Sequence, residues 1–341
     1  MQSLDYRVVN QAIEWLAEGR TVWLCTVLST FGSSPREPGS LMVARADGGH
    51  LGSLSGGCVE EDFLARLVDG EYELDTVILR YGASDSDPDN ARIRLPCGGI
   101  LEVLVERLPA SAASQAHLEE VRSAMTGEQP LARRVCLSGG PAVLEPAPQA
   151  GPNVGWEAGN ETVSIRIGPV AKLILAGYST VAEQCAQFAI SLGYQVVICD
   201  PRDEITRDRT MPEGVEFVPQ LPSLYIASPE ACHASTAVIA ATHDPRIDDL
   251  AMMAAVKTRA GYIGVMGSKR TSQARADRLR RSGGLSDEEI ARIHMPIGLD
   301  IGSKTPAEIA LAIMADVVRV RRGRAHPERR RTGSEAGQPV Q

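Results

Sequence analysis

The chain has 341 residues, more than a typical single domain, so we expect two domains. Its net charge of −8 argues against a dedicated nucleic-acid binder, and no apolar run approaches the roughly 18 residues that span a bilayer. The start MQSLDYRVVN lacks the pattern of a signal peptide, so we expect a cytoplasmic protein whose seven cysteines are free thiols.

The first half has the pattern of a mixed α+β unit. YRVVNQAIEWLAEG is typical of an amphipathic helix that ends at Gly19, and GCVEEDFLARLVDG of a short helix. Four segments predict strands: TVWLCTVLST, SLMVARADGGH, DTVILRYG and GILEVLVERL. The stretch from Pro141 to Gly159 is rich in Gly, Pro and Ala, which favours a connection. We predict an N-terminal domain over 1–150, and over 151–168 a connection with a strand leading into the next domain.

The second half alternates strands with helices. VAKLILAGYSTVAEQCAQFAISLGYQVVICD predicts strand, glycine turn, helix and strand, and TAVIAATHD and GYIGVMGSKR predict further strands. Asp244 before Pro245 predicts a helix start, and two pairs, Ser286 with Glu289 and Thr305 with Glu308, predict capping boxes. We therefore predict an α/β chain whose residues 169–322 form a Rossmann-like, doubly wound parallel sheet. The basic and polar residues 323–341 are expected to be a disordered tail.

The first strand–helix turn of this second half departs from the dinucleotide-binding pattern. Gly177 holds the first glycine position, but Ser179 stands at the second, where the pyrophosphate approaches closest. Asp200 closes the second strand, where an acid would bind a ribose hydroxyl. The turn predicts the fold more strongly than it predicts a bound dinucleotide.

Further polar residues follow the other predicted strands. Ligands of open α/β sheets bind outside the carboxyl ends of the strands, so these residues are candidate ligand contacts. They are Arg202, His243, Asp244, Gly267, Ser268, Lys269, Arg270, Asp300 and Lys304. The alternative is that they are helix caps and solvated charges.

Two cysteines adjoin pairs of glycines. Cys58 follows Gly56 and Gly57, and Cys97 precedes Gly98 and Gly99. Bare main chain beside a thiol lets a bulky planar ligand approach, so we predict that the two segments line one site. The alternative is two tight turns with incidental thiols. Cys25, Cys185 and Cys199 lie in apolar patterns and are expected to be core residues.

Several motifs in order resemble those of one family, the bacterial XdhC/CoxI proteins. In the first half these are TVLSTFGSSPREPGSLMV, GSLSGGCVEEDF and LPCGG. In the second half they are GYSTVAEQCAQFAISLGYQVVICDPR, THDPRIDD, YIGVMGSKRTSQAR and PIGLDIGSKTPAEIALAI. The resemblance extends from about Leu24 to Ala315, although the family commonly has Gly where this chain has Ser179.

The resemblance implies a carrier for the molybdenum cofactor, a molybdopterin, rather than a catalyst of metabolite turnover. Such a carrier holds the cofactor while a cysteine desulfurase sulfurates it, and passes it to an apo-molybdenum hydroxylase such as xanthine dehydrogenase. In this account Cys58 and Cys97 are soft sulfur donors to molybdenum, and Ser33, Ser34 and Arg36 contact the phosphate. We expect a homodimer and no catalytic residue.

Two other functions compete with the carrier. An NAD(P)-dependent oxidoreductase would use the Rossmann-like half, with His243 or Lys269 as proton donor. A thiol enzyme would carry a persulfide on Cys58. Ser179 and the lack of a distinct substrate pattern in the first half weigh against the oxidoreductase.

Overall fold

The computed structural model describes residues 3–31, 36–82, 99–127, 129–148, 152–157, 159, 161–208, 211–242 and 244–323. For Cys58 and for residues 206–208 the description covers the main chain alone. The predicted tail lies outside these residues from position 324 onward. Among the helices described, none has the length and apolarity needed to cross a bilayer.

The first half opens with a five-stranded antiparallel sheet covered by helices. Its elements are α1 (Leu4–Ala17), β1 (Val22–Phe31), β2 (Leu41–Arg45), β3 (His50–Gly52), α2 (Cys58–Val68), β4 (Thr76–Tyr81) and β5 (Ile100–Leu108). Over the described residues the strand order is β3-β2-β1-β5-β4. The apolar stripe of α1 packs in one core cluster and that of α2 in another, so the central strand β1 is buried along most of its length. The predicted helices and strands of this part are confirmed.

A second antiparallel sheet follows, where the sequence suggested a connection. Its elements are α3 (Ala112–Thr126), β6 (Leu131–Cys136), β7 (Val143–Pro146), β8 (Val154–Trp156) and β9 (Thr162–Ile167), with the strand order β7-β6-β9-β8 in the described residues. The stretch 151–168, predicted as a connection with an entry strand, contains β8 and β9, and β9 pairs with β6 and β8. The predicted domain bounds stay a prediction. β7 is short and largely exposed, and β8 is short and partly buried, so neither carries an apolar alternation that would distinguish it from a loop.

The second half is a parallel sheet with helices on both faces. Its elements are β10 (Lys172–Ala176), α4 (Thr180–Ser191), β11 (Gln195–Cys199), α5 (Asp203–Asp208), β12 (Val215–Val218), α6 (Pro222–Ile226), β13 (Thr236–Ala240), α7 (Pro245–Ala255), β14 (Tyr262–Val265), α8 (Lys269–Arg281), α9 (Asp287–Ala291), β15 (Ile293–His294) and α10 (Pro306–Arg321). The described strands run in the order β12-β11-β10-β13-β14-β15, which is the Rossmann order. The predicted α/β fold class is confirmed, and the strand order reverses between β10 and β13.

Small side chains allow the helices of the parallel sheet to pack closely. One face holds α4 and α10 with Ala182, Ala186 and Ala189 in the core, and the other face holds α6, α7 and α8. The predicted capping boxes at Ser286 and Thr305 are present, as is the predicted start of α7 at Asp244 and Pro245. The predicted core cysteines Cys25, Cys185 and Cys199 are buried, and burial raises the pKa of each thiol.

Candidate functional site

The loops that carry the cysteine–glycine motifs leave the five-stranded sheet at one end. The end of β1 pairs with the start of β5 through Phe31 and Ile100, and the end of β4 pairs there through Tyr81 and Leu101. The end of β3, at Gly52, lies beside β2 at the same end of the sheet. The chain therefore leaves the sheet at this end after Phe31, Gly52 and Tyr81, and it re-enters the sheet there at Ile100. Among the predicted contacts, Ser33, Ser34, Cys97 and Gly98 lie outside the described residues, as does the side chain of Cys58.

The turn that joins β3 to α2 is organised around Glu60, in the first turn of α2. One carboxylate oxygen, Oε1, accepts from the Ser53 hydroxyl at 2.6 Å and from the main-chain N–H groups of Leu54, Ser55 and Gly56 at 2.8, 3.0 and 3.0 Å. The other, Oε2, accepts from the Ser55 hydroxyl at 2.7 Å and from Gly57 N–H at 3.0 Å. The carboxylate thus binds every main-chain N–H from 54 to 57.

Glu60 is only 6% exposed, so its hydrogen bonds, rather than water, determine whether its side chain carries a charge. Burial by itself raises the pKa of this carboxyl group, but the hydrogen bonds from Ser53, Ser55 and Gly56 outweigh burial and hold the pKa far below its ordinary value. The group is therefore a carboxylate at neutral pH. Its negative charge lies directly behind the turn that leads to Cys58.

Gly57, on the outer side of this turn, adopts φ +150°, and a Cβ placed on it would meet no heavy atom of the described residues within 4 Å. Gly82, at the far end of β4, is closed in by contrast, because a Cβ there would lie 2.0 Å from the carbonyl oxygen of Gly99. Gly57 thus leaves main chain accessible, whereas Gly82 permits the close approach that fixes Gly99 beside β4.

Arg36, predicted to contact phosphate, instead ties its loop to the rest of the first half. Its Nε donates to the Ser53 carbonyl oxygen at 3.0 Å, and its guanidinium pairs with Asp5 of α1 at 2.9 Å. Asp5 also accepts the main-chain N–H of Leu41, at the start of β2. With these partners Arg36 braces the loop rather than offering a free cation.

In the parallel sheet, the predicted ribose ligand Asp200 serves the turn after β10. It is fully buried, and it accepts the Tyr178 N–H at 2.7 Å and pairs with Arg202 at 2.6 Å. Burial raises the pKa of Asp200, but the bonds from Arg202 and Tyr178 lower it overall, so the group stays ionised. The prediction that Asp200 binds a ribose hydroxyl is not supported, because the carboxylate has no exposed face. Ser179 caps α4 by accepting Ala182 N–H at 3.1 Å.

The strand crossover at β10 and β13 contains a buried ionic network that the sequence did not reveal. A Cβ on Gly177 would lie 2.1 Å from the Thr242 methyl group, so only glycine fits. Thr242 donates its hydroxyl to the fully buried Asp248 at 2.7 Å, and Arg275 of α8 contacts Asp248 at 3.4 Å and Asp249 at 2.7 Å. These residues fix the loop before α7. The polar residues of α7 and α8 recur as they do in any exposed helix, so the sequence does not indicate that Arg275 pairs with Asp248 and Asp249.

The remaining predicted contacts at the carboxyl edge lie on helix starts and exposed loops. Asp244 and Ser268 cap α7 and α8, and Asp244 also pairs with Arg246 at 2.7 Å. The exposed residues here are Lys269, Arg270, Asp300 and Lys304, with Gly267 half-buried beside them, whereas His243 lies outside the described residues. Capping accounts for Asp244 and Ser268.

The amino end of α10 lies at the carboxyl edge of the parallel sheet and its carboxyl end at the opposite edge. Lys304 directly precedes the Thr305 cap. At the other end, the Arg321 guanidinium lies 4.9 Å from the ring centre of Tyr194, the residue before β11. The 16 residues of α10 span about 24 Å, which separates the two edges.

The turn at 53–57 is joined to the far end of α10. Arg322, the cap residue of this helix, forms an ion pair with Glu37, and the neighbouring Arg36 donates to Ser53. The described contacts therefore connect the cysteine–glycine end of the first half to the amino ends of the parallel strands. No contact among the described residues brings it to the carboxyl edge, where the other set of predicted contacts lies.

Glu60 is the principal residue that the sequence analysis missed. It stands three positions after Gly57, the cap of α2, which is the spacing of a capping box. That spacing was visible, but it does not reveal that four N–H groups converge on one carboxylate. In the described residues no group of three or more His, Cys, Asp or Glu side chains is arranged to hold a metal ion.

Comparison with known proteins gives matches in both halves. The family model described as the XdhC Rossmann domain matches residues 173–317, and that of the XdhC and CoxI family matches residues 15–82. A molybdenum cofactor insertion chaperone of Escherichia coli, PaoD, is 28% identical over 319 residues, covering 93% of this chain and 89% of that protein. A Bacillus subtilis protein named as a probable subunit of xanthine dehydrogenase is 24% identical over 318 residues, covering 88% of this chain and 93% of that protein.

A solved structure shares the fold over nearly the whole chain. The crystal structure described as a xanthine dehydrogenase from Bacillus halodurans matches with a TM-score of 0.69 and 23% identity, and covers 94% of this chain and 98% of that one. At this identity the likeness concerns the fold. The two family models together show that the chain belongs to the XdhC and CoxI family.

Proposed function

We propose that this chain takes part in maturation of a molybdenum enzyme by binding the molybdenum cofactor as cargo. It holds the cofactor while a cysteine desulfurase sulfurates it, and then delivers it to an apo-molybdenum hydroxylase such as xanthine dehydrogenase. Similarity to the chaperone PaoD over 93% of the chain supports this role. The predicted homodimer stays a prediction.

The observation that carries the proposal is the rigid, open turn before Cys58. Six hydrogen bonds to Glu60 fix this turn, and on its outer side a Cβ at Gly57 would meet no atom of the described residues within 4 Å. A flat pterin needs such bare main chain, and molybdenum favours a soft sulfur donor such as a cysteine thiolate. We therefore assign cofactor contact to Gly56, Gly57 and Cys58, together with Cys97, Gly98 and Gly99 from the loop that departs from the same end of the sheet.

The oxidoreductase alternative receives no support. The name of neither relative mentions a nicotinamide cofactor. Within the described turn after β10, Ser179 caps the helix and Asp200 is buried against Arg202, so neither is free for a dinucleotide in the usual pose.

The test is to purify the protein from cells that make the cofactor and to measure pterin fluorescence after oxidative release. We expect bound pterin in the wild-type protein and at least a tenfold loss in Cys58→Ala and Cys97→Ala. Cys136→Ala is the matched control, because Cys136 is a half-exposed thiol on β6, away from the loops of the site, and it should retain pterin.

Delivery is tested by mixing pterin-loaded protein with an apo-hydroxylase and measuring the hydroxylase activity that appears. Absence of pterin from the wild-type protein would overturn the proposal. Wild-type retention in both cysteine variants would remove the thiols from it. A mass increase of one sulfur on Cys58 without pterin would instead favour the persulfide-carrying enzyme.

A further inference from the structure

The main chain of the turn at 53–57 has the form of an anion-binding site, and the carboxyl group of Glu60 occupies the place of the anion. Successive N–H groups that point to one side make a concavity that binds phosphate or carboxylate. Here the four N–H groups from Leu54 to Gly57 all donate to Glu60, at 2.8 to 3.0 Å. Since an N–H group has one hydrogen to donate, none of the four is left for an external oxyanion.

The burial of Glu60 strengthens this exclusion. Its two carboxyl oxygens lie directly behind the turn and act only as acceptors in the described hydrogen bonds, so an approaching phosphate meets acceptors and no free main-chain donor. The two hydroxyl groups of the turn, those of Ser53 and Ser55, also donate to Glu60, at 2.6 and 2.7 Å. The inner face of the turn is therefore closed to the anionic end of any ligand.

The outer side presents different chemistry. Gly57 is open there, and the next residue, Cys58, begins α2. Bare main chain followed by a thiol suits a soft metal and a planar ring, not an oxyanion.

We propose that Glu60 is the positioning residue of the cargo site, holding the turn so that it receives the metal-bearing end of the cofactor and rejects the phosphate end. This rests on the proposed function and adds the orientation of the cargo. The phosphate is then bound by groups other than the main chain at 54–57.

The sharpest variant is Glu60→Gln. The glutamine oxygen keeps the position of Oε1, while its amide nitrogen replaces Oε2 and removes the acceptor of the Gly57 N–H, directly before Cys58. We expect this change to lower retained pterin at least tenfold, since a donor loses its only partner beside the thiol. The matched control is Glu61→Gln, at the exposed neighbouring position of the same helix turn, which should stay within twofold of wild type.

A second measurement separates positioning from general structural support. In protein labelled with ¹⁵N-glycine, the Gly56 and Gly57 amide resonances should shift on loading with the cofactor. They should not shift on addition of inorganic phosphate alone at about 10 mM. A thermal melt of each variant checks that the fold survives.

The possible results of these experiments distinguish a failure of the inference from a failure of the proposed function. If inorganic phosphate shifts Gly56 and Gly57, the turn is an anion site and the inference is wrong. Equal pterin in Glu60→Gln and wild type would overturn the role of Glu60 while leaving the proposed function standing. If the wild-type protein holds no pterin, the proposed function fails and the inference fails with it.

Discussion

The ion pair between Glu106 and Arg133 joins three elements of the first half, and removing one partner should destabilise that half strongly. Arg133 on β6 is 2% exposed and Glu106 on β5 is 4% exposed. Two hydrogen bonds of 2.6 and 2.9 Å connect them, and the third, from Arg133 Nε to His117 of α3, measures 2.8 Å. The pair therefore links the five-stranded sheet to the four-stranded sheet.

Arg133→Met leaves the carboxylate of Glu106 buried without its cation. Breaking a buried pair in this way costs about 3–5 kcal/mol. Typical domains have only about 5–15 kcal/mol of stability, so a loss of about 3–5 kcal/mol is at least roughly a fifth of it. The double variant with Glu106→Gln should cost at least 1 kcal/mol less than the sum of the single changes, because the two residues are in direct contact.

Urea unfolding followed by tryptophan fluorescence is the appropriate assay. The three tryptophans, Trp15, Trp23 and Trp156, all belong to the first half, so the signal reports this part of the chain. Arg134→Met is the matched control: Arg134 is the next residue of β6, but its side chain is 38% exposed. Arg134 forms ion pairs with Glu145 and Glu157, and because all three side chains are about a third or more exposed, each pair should contribute less than about 1 kcal/mol. Equal losses in the Arg133 and Arg134 variants would refute the reasoning.

Two further changes test other parts of the fold. The pKa of His117 and that of His233 are lowered from the ordinary 6.5 to about 4, mainly by burial. The positive charge of Arg133 contributes to the lower pKa of His117, and that of Lys172 does the same at His233. The unfolded chain then binds more protons, so stability should fall by up to about 3 kcal/mol per histidine between pH 6.5 and 4 and stay level above pH 7. Urea midpoints across this range should show a smaller fall in His117→Gln, and an equal fall would contradict the assignment. Gly82→Ala should destabilise by more than about 2 kcal/mol, because its Cβ meets the Gly99 carbonyl oxygen at 2.0 Å. Gly193→Ala, at φ +79° with open space, should cost about 1 kcal/mol, and equal thermal shifts in the two variants would count against the close contact.

Local signals predicted much of the fold. The capping boxes at Ser286 and Thr305 and the start of α7 at Asp244 were correct because each depends on residues a few positions apart. β7 and β8 escaped prediction for the opposite reason. They are four and three residues long, and their pairing partners are β6 and β9, so nothing in their own composition specifies a strand.

The candidate site was predictable in its parts and not in its arrangement. The sequence placed Glu60 in the first turn of a helix, where its charge is favourable, but hydrogen bonds from four successive N–H groups arise only when the turn folds back over it. The contact between the two halves was likewise not predictable. The ion pair of Arg322 with Glu37 joins residues 285 positions apart, at the amino edge of the parallel sheet.

The length of α10 has a consequence for where a client protein would dock. If cargo is delivered at Cys58 as proposed, the receiving protein contacts the Arg322 end of the helix, about 24 Å from Lys304. The loops at Gly177 and Gly267 lie at the carboxyl edge of the parallel sheet, toward the other end of α10. A client bound at Cys58 therefore need not cover them.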